Sequence, residues 1–175
     1  MQTSLHTKGF TLLEMVLYIG IVSMIMVATV SLSISLMNLR VKERAMASIQ
    51  SNETRILARL SDAIRHASLV NTGSSTFVTD PGVLSLQMVD SSVNPTIFSL
   101  TADNGTFQVK EGSGSNVPLT TSDVSVTNFT VTNLTSSSDT GIILVQMTIS
   151  VSSSSTPLYA FSQSFETVLR VPLDN

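Results

Sequence analysis

The sequence predicts an α+β fold: a long N-terminal helix, apolar in its first half and amphipathic in its second, packed on an antiparallel β-sheet. Three observations carry this. Phe10 to Met37 is an apolar run whose only charge is Glu14. Ile49, Glu53, Ile56, Leu60, Ile64 and Ala67 then step by three, four or seven residues, and five of the six are apolar, which is one helical stripe. Beyond Gly73 the composition turns to Ser, Thr, Val, Asp and Asn, with apolar residues at alternate positions.

The first half of the helix covers residues 10–39. At ~1.5 Å per residue the run exceeds the ~20 residues needed to cross a bilayer. Gly20 and Ser23, Ser31, Ser33 and Ser35 are tolerated in such helices, because a serine hydroxyl can bond back to its own backbone. Charge resumes at Arg40, Lys42, Glu43 and Arg44, a boundary where long side chains reach the lipid headgroups. With only Lys8 on the other flank, that basic group runs against the positive-inside rule for a C-terminal part outside the cytoplasm. A cleaved secretory signal would want a shorter apolar core without a carboxylate. An uncleaved signal anchor accounts for the span but gives Glu14 no role beyond that of an interfacial carboxylate. A lone carboxylate within a membrane helix is costly unless something pairs with it.

The second half, residues 40–70, carries the stripe, with Arg55, Arg59, Asp62 and Arg65 mostly off it. No Pro or Gly interrupts residues 21–72, and Asn71-Thr72-Gly73-Ser74-Ser75 reads as the stop. One helix of about 60 residues is expected, roughly 90 Å long.

Residues 71–175 are read as the sheet domain. Leu84, Leu86 and Met88 alternate with Ser85 and Gln87; Ile97–Leu100 and Phe107–Val109 are strand candidates around a turn at Asp103-Asn104-Gly105. Gly112–Asn116 is read as loop. Val124 and Val126 are out of phase with Phe129 and Val131, which predicts a bulge or bend near Asn128. Ile143, Val145, Met147, Ile149 and Val151 form the clearest alternation. After a turn or loop at Ser152–Pro157, Phe161, Phe165, Leu169 and Val171 line one face of a last strand, with Glu166 and Arg170 on the other. A sheet with one apolar face must be covered. Ile49, Ile56, Leu60, Ile64 and Ala67 supply the only long amphipathic stripe to cover it, so five or six strands wrapped on the helix are expected.

Charge separates along the chain. Residues 1–70 hold seven Lys/Arg and four Asp/Glu, a net of +3; residues 71–175 hold two and eight, a net of −6. An acidic, Ser/Thr-rich outer region does not suit a nucleic-acid backbone. The chain has no cysteine, hence no disulfide framework. Of two histidines, neither has a visible base or nucleophile beside it, so no catalytic site is read and no cofactor is called for. Asp90, Asp103, Glu111, Asp123 and Asp139 lie in turns without EF-hand spacing, and no metal site is assigned.

Lys8-Gly9-Phe10-Thr11-Leu12-Leu13-Glu14, followed directly by the apolar run, resembles the leader and N-terminal helix of the type IV pilin-like family. That family contains pilins, minor pilins and the pseudopilins of type II secretion. The likeness is specific over residues 1–39 and at the level of fold beyond them. It implies a leader of residues 1–9 with Lys8 as its charge, cleavage between Gly9 and Phe10 by a membrane aspartic peptidase, the prepilin peptidase, and methylation of the new Phe10 amine. It further implies that Glu14 of an incoming subunit meets the Phe10 amine of a neighbour within lipid.

Ser31 stands where many major pilins have proline, and the cysteine loop of major pilins is absent, so the likeness is to minor subunits. Arg55–Ala67 and Phe165–Val171 resemble the later helix and last strand of minor pilins and of the J-type minor pseudopilin. Retaining Glu14 sets the chain apart from the K-type. The implied partners are other pilin or pseudopilin subunits, an inner-membrane assembly platform and membrane lipid. The implied location is a single pass of the inner membrane with the C-terminal domain outside the cytoplasm, then an envelope filament. A single-pass anchored ligand-binding or sensor domain is the alternative from another class.

Overall fold

The computed structural model describes residues 9–101, 105–135, 141–151 and 160–171. Lys8, His6, Asp103, Asn104, Asp139 and the Ser152–Pro157 segment therefore lie outside the described residues. The chain is an α+β protein with one long N-terminal helix, α1 (Leu12–Arg65), and two antiparallel sheets. It divides into two compact units, Met1–Val41 and Lys42–Asn175.

In the first unit α1 is apolar on all sides. Its large hydrophobic residues from Leu12 to Leu39 are exposed, and nothing else among the described residues of the unit covers them. Four hydroxyls bond within the helix: Ser23 donates to the Ile19 carbonyl at 2.6 Å, Thr29 to Ile25 at 2.5 Å, Ser33 to Thr29 at 2.9 Å and Ser35 to Ser31 at 3.1 Å. This local bonding removes the cost of taking a free hydroxyl out of water.

In the second unit the remainder of α1 buries Ala45, Ile49, Asn52, Ile56, Leu60, Ala63 and Ile64. The stripe passes through Asn52, which is buried, and not through Glu53, which is half-buried. The helix stops at Arg65, short of the expected residue 70. His66 closes it, its amide donating to the Asp62 and Ala63 carbonyls. Ala67 is buried, but on strand β1 (Ala67–Val70) and not on the helix. The reason is pairing: Ala67 and Val70 sit opposite Met88 and Leu86 of β2 (Val83–Met88), and the ladder overrides a helical period that runs to Ala67.

The expected single sheet of five or six strands is two sheets. The first has the order β1-β2-β3-β4-β5, with β3 Thr96–Leu100, β4 Phe107–Glu111 and β5 Val117–Pro118. The second has the order β6-β7-β8, with β6 Ser125–Asn133, β7 Ile142–Val151 and β8 Phe161–Arg170. The predicted break near Asn128 is a register shift between Val126 and Asn128.

The two sheets and the amphipathic half of α1 share one core. Phe98 stacks on Phe107 (6.0 Å between centroids), and Phe107 meets Phe129 of the second sheet edge-on (4.9 Å). Such contacts contribute roughly 0.5–1.5 kcal/mol beyond area burial. The outer edge of β6 is joined to the first sheet's connections. Val78 and Gly82 donate to the Val131 and Phe129 carbonyls at 2.8 and 2.7 Å, and the Val126 amide donates to Gly105 at 2.7 Å. Gly105 has φ of +59°, and a Cβ there would lie 2.7 Å from the Val126 carbonyl oxygen, so glycine is required at this approach.

Candidate functional site

Two places hold the residues of interest, one in each unit. The first is the start of α1. Thr11 is its N-cap: the Glu14 amide donates to the Thr11 hydroxyl at 3.3 Å and to its carbonyl at 3.1 Å. Thr11-Leu12-Leu13-Glu14 also has the S/T-x-x-E spacing of a capping box. A carboxylate in the first turn interacts favourably with the helix dipole. Among the described residues none forms an ion pair with the Glu14 carboxylate. Gly9 and Phe10 precede the helix and are exposed, and the Phe10 ring lies 5.9 Å from that of Tyr18. A Cβ on Gly9 would meet nothing within 4 Å, so nothing in the fold itself asks for glycine there.

Chemically, the described residues at this end of the chain offer one carboxylate among exposed apolar side chains, and no nucleophile–base pair. The described residues contain one helix long and apolar enough to cross a membrane. Of the residues singled out in the sequence, Gly9, Phe10 and Glu14 fall together here. Ile49, Ile56, Leu60 and Ile64 are buried in the second unit, together with Ala67.

The second place is a polar clamp in the second unit that the sequence did not reveal. The Asn52 amide nitrogen donates to the Ser48 carbonyl (2.9 Å) and to the Thr121 hydroxyl (3.0 Å), while its carbonyl oxygen accepts from the Thr121 amide (2.9 Å). Ser48 donates to the Asp123 carboxylate. That bond, and a weaker one from Thr121, hold the Asp123 pKa below its ordinary value. One signal was present: position 52 fits the 49–52–56 spacing as well as position 53 fits the stripe.

Of the acidic residues read as lying in turns, Asp90, Glu111 and Asp123 are among the described residues, and each has a protein partner. The Asp90 carboxylate accepts from the Ser92 amide at 2.8 Å and caps the short 3₁₀ turn Ser91–Val93, which lowers its pKa. Glu111 pairs with Arg59, which also reaches Asp62 at 3.2 Å. His66 Nδ1 lies 2.8 Å from the Asp62 carbonyl oxygen. Among the described residues no three His, Asp or Glu side chains are grouped to hold a metal ion.

No family model, no curated protein and no solved structure matches this chain. A long apolar N-terminal helix packed on antiparallel sheet is compatible with a pilin-like fold.

Proposed function

We propose that the chain is a minor pilin or minor pseudopilin, a structural subunit of a type IV pilus or a type II secretion pseudopilus. Its activity is polymerisation, not catalysis, and it helps to initiate the filament. One observation carries the reading. The Lys8–Glu14 motif leads into the first half of α1, which is apolar on every side as far as Leu39 and carries one carboxylate, Glu14, in its first turn.

The mechanism follows from electrostatics. Cleavage after Gly9 by a prepilin peptidase leaves an ammonium on Phe10, near Glu14 in sequence. Within one subunit the two are close. Between axially displaced subunits, the ammonium of one and the carboxylate of the next meet in a medium where opposite charges attract strongly and each carries a desolvation cost. A subunit out of register leaves two charges unmatched in lipid, so the pair selects register more than it adds affinity. Residues 10–39 supply the filament core after extraction from the inner membrane by an assembly platform. The two sheets, which begin at Ala67, meet neighbouring heads or cargo, and no direct contact with nucleic acid is required.

Mass spectrometry of the mature N-terminus tests this against the anchored-sensor alternative. Co-expression with a prepilin peptidase should yield a chain beginning at methylated Phe10. A chain beginning at Met1 in a host with active peptidase would favour the anchor and end the filament reading.

A further inference from the structure

The half of α1 that covers the sheets has a second face, turned away from Ile49, Ile56 and Leu60. Arg44, Arg55 and Arg65 lie on it, with Ala47, Ser51, Thr54 and Ala58 between them, and all seven residues are exposed. The three arginines form no ion pair and no side-chain hydrogen bond among the described residues. Arg59, on the flank, differs: Asp62 and Glu111 hold it. Two carboxylates are near the face. Asp62 lies on it but already meets Arg59 and His66. Glu43 directly precedes Arg44, which places it about 100° round the helix. The face is therefore basic, whereas residues 71–175 hold two Lys/Arg and eight Asp/Glu.

The arginines decide the charge of what docks here. A guanidinium presents a planar fork of donors that matches a carboxylate. The residues between them decide its shape. Ala47, Ser51, Thr54 and Ala58 follow one another at intervals of four, three and four, the spacing along which a second helix runs. None is bulky, so the two axes can approach closely. A second copy fully overlapped on this face sets arginine against arginine in either direction: Arg44 on Arg44 in a parallel pair, Arg44 on Arg65 in an antiparallel one. Like charges so placed repel. Nucleic acid is disfavoured by the acidic residues of the sheets. A lipid headgroup layer is about 5–8 Å deep, whereas Arg44 and Arg65 are ~32 Å apart along the helix.

We infer that the outward face of α1 from Arg44 to Arg65 is a docking surface for an acidic helix of a different protein, and that it rejects a second copy of itself. Carboxylates on that helix pair with Arg44, Arg55 and Arg65, and its backbone lies over the small side chains between them. The surface belongs wholly to the second unit and does not depend on the filament reading.

The absence of native cysteine makes the test direct. Thr54 lies midway between Arg44 and Arg65, so Thr54→Cys places a reporter thiol at the centre of the face. The probe is an acidic copy of the same full-length chain, Thr54→Cys with Arg44→Glu, Arg55→Glu and Arg65→Glu, carrying a tag that separates it by size. Both are oxidised in neutral detergent, alone and in equal amounts together. The mixture should give mixed disulfide dimer several-fold above the homodimer that either chain forms alone, and the excess should fade in about 1 M salt, where the screening length is ~3 Å. If the triple variant does not fold, T54C with Arg55→Glu alone serves as the probe. T54C that links to itself as readily as to the acidic copy would overturn the proposal, as would a mixture with no excess of mixed dimer. A short DNA duplex or phosphatidylglycerol vesicles that abolish the mixed dimer at low salt would assign the arginines to phosphate and overturn it too.

Discussion

Asn52 ties the helix to the chain between β5 and β6 through both ends of its amide, and it is one of few buried polar side chains among the described residues. Asn52→Ala removes its bonds to the Ser48 carbonyl and to the Thr121 amide and hydroxyl, and the exposed Thr121 groups turn to water. An intramolecular hydrogen bond contributes about 0.5–1.5 kcal/mol net, so chemical denaturation of N52A should show a loss of roughly 1 kcal/mol or more. Asp123 provides a pH signature. Its pKa is depressed in the folded chain, so its contribution is present above the ordinary carboxylate value and is lost as pH falls through the lower folded value. The side chain is exposed and the effect is small. Ser48→Ala should lower the melting temperature slightly near neutral pH, and the difference from the parent should shrink as pH falls through the lowered folded value of Asp123. The pairing of helix and loop was not legible beforehand, although position 52 fits the helical spacing and Asp123 reads as a turn residue. A single Asn in an amphipathic stretch has no pattern of its own, and its partner lies 69 positions away.

At the scale of elements, periodicity was informative where one face is buried and uninformative where tertiary pairing decides. The alternation of Ile143, Val145, Met147 and Ile149 is that of β7, and the phase change at Asn128 is the register shift in β6. Strand β1 reads as helix in the sequence because Ala67 continues the stripe and no Gly or Pro marks the junction; only its pairing with β2 makes it a strand. The division into two sheets was hidden for a similar reason. Residues 119–124 have the composition of any loop, and the sequence does not say that the ladder fails to continue from β5 to β6. The stripe itself yields a packing prediction. Ile56 and Leu60 are fully buried in the core that both sheets share, so Leu60→Ala should cost ~2–5 kcal/mol in the second unit. Leu32→Ala, an exposed residue of the first unit, should leave the thermal transition of that core unchanged.

At the scale of the molecule, the chain divides its apolar surface between two destinations. The described residues of 42–175 gather most of their large apolar side chains in one core, and residues 9–41 leave theirs open over the length of the helix. Contiguous apolar surface of that extent demands lipid or other helices. Residues 42–175 expressed alone should therefore be a folded monomer at low concentration in aqueous buffer, whereas the full chain should sediment with membranes and resist carbonate extraction. The apolar run was legible because it is long and unbroken: among the described residues it is one helix long and apolar enough to cross a membrane. The role of the Glu14 carboxylate was not legible, since a capping-box position and an intersubunit partner fit the same residue.

Glu14→Ala tests the second role. It removes the charge but keeps a strong helix former in the first turn, so membrane insertion should be unchanged. Filaments sheared from cells expressing E14A together with the other subunits should contain several-fold less of this chain than filaments made with the parent, at equal membrane levels. Parent-level incorporation of E14A would contradict the account of the carboxylate as the group that sets subunit register.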